Sequence, residues 1–269
     1  MRTLVHLSDL HFGRVDAALV APLTQHIHAI RPDLVVVSGD LTQRARAIEF
    51  AQAKEFLATL PMPQLVVPGN HDIPMHNLLR RFINPLRDYQ RTICASLQPT
   101  FSDSEIAVVG INTARSLTIK DGRINPTQLA DVDNFWRSVD SAVTKIIVTH
   151  HPFDLPGTVD PHKLIDRATH LMPVLSDLKV DLLLAGHHHV AHAANTATNY
   201  PRLRQAALVI QAGTATSTRG RGEANSFNLI RIEAHQITVE RHDWMPASAQ
   251  FQMATKSDFF RDNAGWMPG

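Results

Sequence analysis

Five short runs of leucine and β-branched residues recur along this chain, and each stops at residues able to ligate a metal or move a proton. "TLVHLS" (3–8) stops at Asp9, with His11 two residues on; "DLVVVSG" (33–39) stops at Asp40; "QLVVPG" (64–69) stops at Asn70, His71 and Asp72. "KIIVTH" (145–150) ends on His150, with His151 next, and "VDLLLAG" (180–186) is followed by His187, His188 and His189. Runs of this length and content read as buried strands. Residues 15–30 and 46–60 between them carry apolar positions at helical spacing, and 126–139 opens with proline near the first helical position. That alternation predicts parallel pairing in the first half. Further strands are expected at 104–112, reached by a hairpin from "TFSD", and at 207–213, 228–234 and 237–242. The last of these have little helix between them, which predicts antiparallel additions. The expected architecture is α/β, with two packed mixed sheets flanked by helices.

In open α/β sheets, ligand sites gather at the carboxyl ends of the strands. Five strand ends bearing carboxylate, carboxamide or imidazole can therefore converge although they span 180 positions. Glycines 39, 69 and 186 stand between strand and polar residue, where the backbone must turn within little space. Residues i and i+2 of an extended segment point the same way, so Asp9 and His11 can share an ion while Leu10 faces the core. By the same rule His187 and His189 point together and His188 elsewhere. A single Asp or His at a strand end is more often a turn former or helix cap. Five such ends, three preceded by glycine, exceed what that explains.

The 16 histidines are far more than a chain of 269 residues usually carries, and histidine is the commonest metal ligand and general acid/base. Not all belong to a site. His26, His28 and His235 read as solvated and His6 as a hydrogen-bonded core residue. His76, His162, His170, His192 and His242 read as bystanders. One cysteine, Cys94, excludes an internal disulfide and a thiolate-rich metal site. The formal net charge of +1 argues against a strong nonspecific grip on nucleic acid or anionic membrane. No targeting segment and no run long enough to span a membrane is visible, so a cytoplasmic location is the expectation.

The ordered set Asp9-Leu10-His11, Gly39-Asp40, Gly69-Asn70-His71-Asp72, His150-His151-Pro152 and Gly186-His187-His188-His189 resembles the calcineurin-like metallophosphoesterase superfamily. The resemblance runs from residue 9 to residue 189. It implies a four-layer α-β-β-α sandwich with a dinuclear centre at the strand ends. Asp9, His11, Asp40 and His189 would hold one ion; Asp40, Asn70, His150 and His187 would hold the other, with Asp40 bridging. The H-x-P block places the ligand on His150, with the adjacent His151 as the alternative because both are histidine. His71 would touch the phosphate rather than a metal, and Asp72 would either orient it or cap a following helix. A metal-bridging hydroxide would attack phosphorus in line. The nitrogen and oxygen donors suit Mn, Fe or Zn without selecting among them.

Within the superfamily, "GDLTQRA" departs from the protein-phosphatase block, and His71 from the arginine of the nucleotide-sugar lipid-precursor pyrophosphohydrolases. The wording resembles the class III cyclic nucleotide phosphodiesterase and glycerophosphodiesterase branch, which implies a small phosphodiester substrate. A nuclease, a pyrophosphohydrolase and a non-catalytic scaffold are the alternatives. The segment 211–228 offers Arg219 or Arg221 to a phosphate. Residues 1–243 are expected to form the catalytic domain, and 244–269 an extension that docks on the core or on the partner subunit of a homodimer.

Overall fold

The computed structural model describes residues 1–75, 77–117, 121–155, 164–219 and 222–269. Arg2–Leu7 (β1), Leu34–Ser38 (β2) and Gln64–Val67 (β3) pair in parallel. Their crossovers are the helices Ala17–Ile30 (α1) and Ala47–Ala58 (α2). Asp16 caps α1 by accepting from the Ala18 amide, and Glu49 closes the start of α2 by accepting from the amides of Arg44 and Arg46. The other edge of β1 is taken by a late strand, Ser226–Ile232 (β10), which runs antiparallel to it. Gln236–Met245 (β11), Gln250–Asp262 (β12) and Gly265–Pro268 (β13) follow as antiparallel neighbours, giving a seven-stranded sheet in the order β13-β12-β11-β10-β1-β2-β3.

The second sheet has six strands. The hairpin Thr100–Ser102 (β4) and Ile106–Gly110 (β5) leads to Thr144–Val148 (β6), Leu182–Ala185 (β7) and Leu208–Gln211 (β9), parallel from β5 on. His192–Asn195 (β8) closes the far edge antiparallel to β9. Alternation along the strands sorts the core into three layers. Leu4, Leu34 and Val36 face Val108, Ile146, Val148 and Leu184 between the sheets. Val5, Leu7, Val35 and Val37 turn outward onto Leu19, Leu23 and Ile27 of α1 and Phe50 and Phe56 of α2. Ile147 and Leu183 turn outward onto Val132 and Trp136 of Pro126–Arg137 (α5) and Met172 and Leu175 of Ala168–Asp177 (α6). Two short helices, Leu78–Ile83 (α3) and Arg87–Thr92 (α4), lie between β3 and β4; the first is the helix expected after Asp72, and the second has no forerunner in the sequence reading.

Residues 244–269 complete β11 and form β12 and β13, so the expected boundary at 243/244 falls inside a strand. The tail is anchored through Trp266, fully buried between the sheets, whose Nε1 donates to Asp181 Oδ1 at 3.0 Å. Arg261 pairs with the same carboxylate and lies over the Trp266 ring. His26 is not solvated as expected: its Nε2 meets Nδ1 of His242 at 3.1 Å, and Phe227 stacks on the His242 ring.

Candidate metal centre

The carboxyl ends of β1, β2 and β3 in the first sheet and of β6 and β7 in the second open onto the same place. The loops are laced together there by backbone bonds, Asp9 N to Gly39 O at 3.1 Å, His11 N to Asp40 O at 2.9 Å and Gly186 N to His150 O at 3.0 Å. A further bond crosses between the sheets, from the His187 amide to Asp9 Oδ2 at 3.0 Å. Packing is tight enough that side chains are excluded at two glycines. A Cβ on Gly186 would lie 1.8 Å from Ser8 Oγ, and one on Gly69 would lie 2.1 Å from Asp40 Oδ1.

Asp9, His11, Asp40, His187 and His189 all have positive φ, between 50° and 75°. This left-handed conformation is uncommon for residues other than glycine and gathers at functional sites. It also modifies the i, i+2 argument: these residues are aimed by local turns rather than by an extended chain. The outcome for the histidine cluster is that His187 and His189 serve different neighbours.

Around Asp9, His189 Nε2 lies 3.2 Å and His11 Nε2 3.6 Å from Oδ1, and the two nitrogens are 3.2 Å apart. Asp40 Oδ2 stands 3.7 Å from His11 Nε2. Around Asn70, Oδ1 lies 3.0 Å from His150 Nε2 and 3.1 Å from His187 Nδ1, and these nitrogens are 3.3 Å apart. Asp40 Oδ1 is 3.4 Å from His150 Nε2. The two quartets expected from the sequence therefore lie next to each other, with Asp40 in contact with both. The Asp9 Oδ1 atom is buried and has no hydrogen bond of its own among the described residues. Imidazole nitrogens crowded against such an oxygen form a donor set that a cation satisfies, so the residues fit metal ions. Asp9, His11, Asp40, His71, His150, His151, His187 and His189 all occur in groups close enough to hold one.

Groups outside the quartets fix the donors. Ser8 Oγ donates to Asp9 Oδ2 at 2.7 Å, leaving Oδ1 turned inward. Nδ1 of His150 meets Ser38 O at 2.8 Å, and Nδ1 of His189 meets Arg219 O at 3.1 Å, so each ring presents Nε2 inward. Ser8 was legible in the run "LSDLH"; Ser38 and Arg219 act through backbone oxygens, which no residue type betrays. His151 does not share the position of His150: its Nδ1 bonds Thr113 Oγ1 at 2.7 Å, and its buried Nε2 has no partner among the described residues.

Electrostatics follow from burying so many titratable groups together. Burial opposes charge on Asp9, yet the neighbouring His189 and His11 hold its carboxyl well below the usual range. Asp40, buried likewise, is kept ionised by His150. Burial disfavours the His150 imidazolium, but the Asp40 charge and hydrogen bond raise it to about 9. Burial and the His150 charge push His187 down to about 3. The two aspartates supply negative charge that His150 and His189, both raised, compensate, while burial holds His11 and His187 toward the neutral form.

His71 lies beside the quartets. Its amide donates to Asp40 Oδ1 at 2.8 Å, its Nδ1 meets Gln43 O at 2.8 Å, and its Nε2 meets Arg219 Nη1 at 3.0 Å. Gln43, absent from the sequence expectations, therefore orients the ring. The expectation that Asp72 orients His71 or caps a helix is corrected: its buried carboxylate accepts from the amides of Leu41, Thr42 and Gly69 and from Thr42 Oγ1. It ties the turn after β3 to the turn after β2. Burial and the Asp40 charge push its carboxyl up to about 6. The segment after β9 runs along the Asp9–His11 loop, with Thr214 Oγ1 donating to Asp9 O and Thr216 Oγ1 to Leu10 O. That run brings Arg219 to the site; Arg221 lies outside the described residues.

Residues 2–191 match the family described as calcineurin-like phosphoesterase. The chain belongs to that family and is a metallophosphoesterase, a hydrolase of phosphoester bonds. It is 24% identical over 204 residues to a Synechococcus protein named a probable cyclic nucleotide phosphodiesterase, covering 70% of this chain and 74% of that one. Over 80 residues, 26% of this chain and 29% of the other, it is 39% identical to the glycerophosphodiester phosphodiesterase GpdQ of Enterobacter lignolyticus. Among solved structures, the purple acid phosphatase PPD1 of yellow lupin superposes with a TM-score of 0.71 at 13% identity, over 96% of this chain and 53% of its own length. The chain thus spans about half of the lupin protein, and the likeness is one of fold.

Proposed function

We propose that this protein is a phosphodiesterase acting on a small diester, a cyclic nucleotide or a glycerophosphodiester, with two metal ions. The observation that carries the reading is Asp40, whose Oδ2 faces His11 while Oδ1 faces His150. One quartet, Asp9, His11, Asp40 and His189, would hold one ion, and Asp40, Asn70, His150 and His187 the other. Such a pair supplies Lewis-acid charge to a phosphoryl group and makes water a nucleophile at neutral pH. Around it the chain positions the substrate. The Arg219 guanidinium meets a non-bridging phosphate oxygen, as planar donors do, and His71 stands on the side of the departing alkoxide. Diester substrates are favoured by the names borne by the relatives. Among the described residues no helix is long and apolar enough to cross a membrane, and an aqueous small-molecule substrate in the cytoplasm agrees with that.

The test is metal analysis joined to a substrate panel. Protein loaded in turn with Mn, Fe and Zn should bind two ions per chain. It should hydrolyse cyclic nucleotides or glycerophosphodiesters faster than DNA, nucleotide sugars and phosphomonoesters. One ion at saturation, or preferred cleavage of DNA, overturns the reading.

A further inference from the structure

Close after the turn that carries Asn70 and His71, the chain leaves large apolar side chains in water. On α3, Leu79 is 71%, Phe82 56% and Ile83 74% exposed, and on a neighbouring loop Leu117 is 89% exposed. Spacings of three and four along a helix place Leu79, Phe82 and Ile83 side by side. Arg81, buried beneath them, donates from Nε to Ser116 O at 2.7 Å, which sets Leu117 next to α3. Pro74, Leu79, Ile83 and Pro85, with Arg80 and Arg87, line a groove of about 260 Å³. Clustered apolar side chains of this kind mark an interaction surface.

The charges around it identify the occupant. Residues 74–93 hold four arginines against one acidic residue, Asp88. Arg80 pairs with Asp88, while Arg87 and Arg91 are exposed and, among the described residues, make no ion pair. A second copy of the chain packed isologously on this face would bring the same arginines together, which is unfavourable. Anionic headgroups above an apolar layer satisfy both halves of the pattern. The net charge of +1 conceals it, because the compensating acids lie elsewhere.

We propose that the face formed by α3 and Leu117 docks the protein peripherally on an anionic lipid surface. This proposal goes beyond the hydrolytic reading and does not depend on which diester is cleaved. The full-length protein should co-sediment with mixed phosphatidylcholine–phosphatidylglycerol vesicles, and at least roughly tenfold less with pure phosphatidylcholine. The double variant Leu79→Ser/Ile83→Ser should lose that binding while hydrolysing a small soluble diester at the unaltered rate. Arg87→Gln/Arg91→Gln should weaken it too, each charge contributing roughly fivefold near an anionic surface; this pair also serves if the serine variant does not fold. Absence of co-sedimentation, undiminished binding of both variants, or a dimer in ultracentrifugation that the serine pair dissolves would each overturn the proposal.

Discussion

Arg219 Nη1 stands 3.0 Å from Nε2 of His71, while His71 Nδ1 faces the carbonyl oxygen of Gln43. A carbonyl only accepts, so Nδ1 carries the ring proton and Nε2 accepts from the guanidinium. The two side chains act as one cationic unit, in which the proton nearest the site belongs to Arg219. On the proposed function, His71 would act as the partner that aims this arginine. For the pair, single and double substitutions should be strongly non-additive. Turnover of a small diester should fall roughly 10²- to 10³-fold in Arg219→Ala, the range for losing one positioned donor. The double variant with His71→Ala should cost little more than the worse single. Additive losses in kcat would show that the two act independently.

His71→Ala should retain both metals, because no donor atom of either quartet is removed. Its rate should depend on the leaving group. Diesters with alkyl leaving groups should slow roughly 10²-fold or more, because Arg219 loses the partner that aims its charge at the departing alkoxide, and p-nitrophenyl esters much less. Equal slowing of both would remove His71 from the leaving-group side.

Asn70 provides the only neutral oxygen among the donors and lies between His150 and His187. In Asn70→Ala the second ion should bind at least roughly 100-fold more weakly, since even outer partners of ligands cost 10- to 100-fold. Isothermal titration should then resolve one tight site instead of two. Two unchanged sites would mean that the second quartet is drawn wrongly.

A separate pH effect follows from His26 and His242, distant in sequence from every donor of the centre. Burial lowers both pKa values, at His26 with the His242 charge adding to it and at His242 against the pull of Glu240 and Asp243. Arg231, paired with Glu240, and the stacked Phe227 complete the surroundings. The folded state takes up protons here less readily than the unfolded chain. The stabilisation is present above the ordinary histidine value and is lost as pH falls below it. Tm should therefore decline between about pH 7 and pH 5, and His26→Gln should flatten that decline. An identical pH profile in the variant would dismiss the pair as its source.

Trp266 anchors the last strand. Trp266→Ala should destabilise the protein by roughly 3–5 kcal/mol, as for other buried tryptophans, with a leftover buried Asp181 carboxylate adding to the cost. Denaturant unfolding measures this. A loss under about 1 kcal/mol, the level of an ordinary substitution, would mean that the tail does not support the core.

The strands that carry the centre were legible because each is an apolar run closed by a polar residue, and the two-sheet arrangement followed from their spacing. The residues that come together at the candidate centre were readable as residue types. What aims them was not: positive φ at Asp9, Asp40 and His189 and the backbone oxygens of Ser38, Gln43 and Arg219 leave no mark in composition. β12 was missed for a different reason. Its sequence, "QFQMATKSDFFRD", is exposed along most of its length and lacks the apolar alternation of a half-buried strand. Besides the local Gly69 amide, Asp72 bonds Leu41 and Thr42, about 30 residues away, which no local pattern contains.

The first sheet is assembled from both ends of the chain, since β1 sits between β2, some thirty residues on, and β10, more than two hundred residues on. A nascent chain that has emerged only as far as His189 holds every candidate donor, yet β1 still has an open edge. The Thr214 and Thr216 hydroxyls that fasten the Asp9–His11 loop have not arrived either. The loop that carries Asp9 and His11 is thus fastened by segments made after the last of the candidate ligands, so the site takes its final form only when the chain beyond residue 189 folds back onto it.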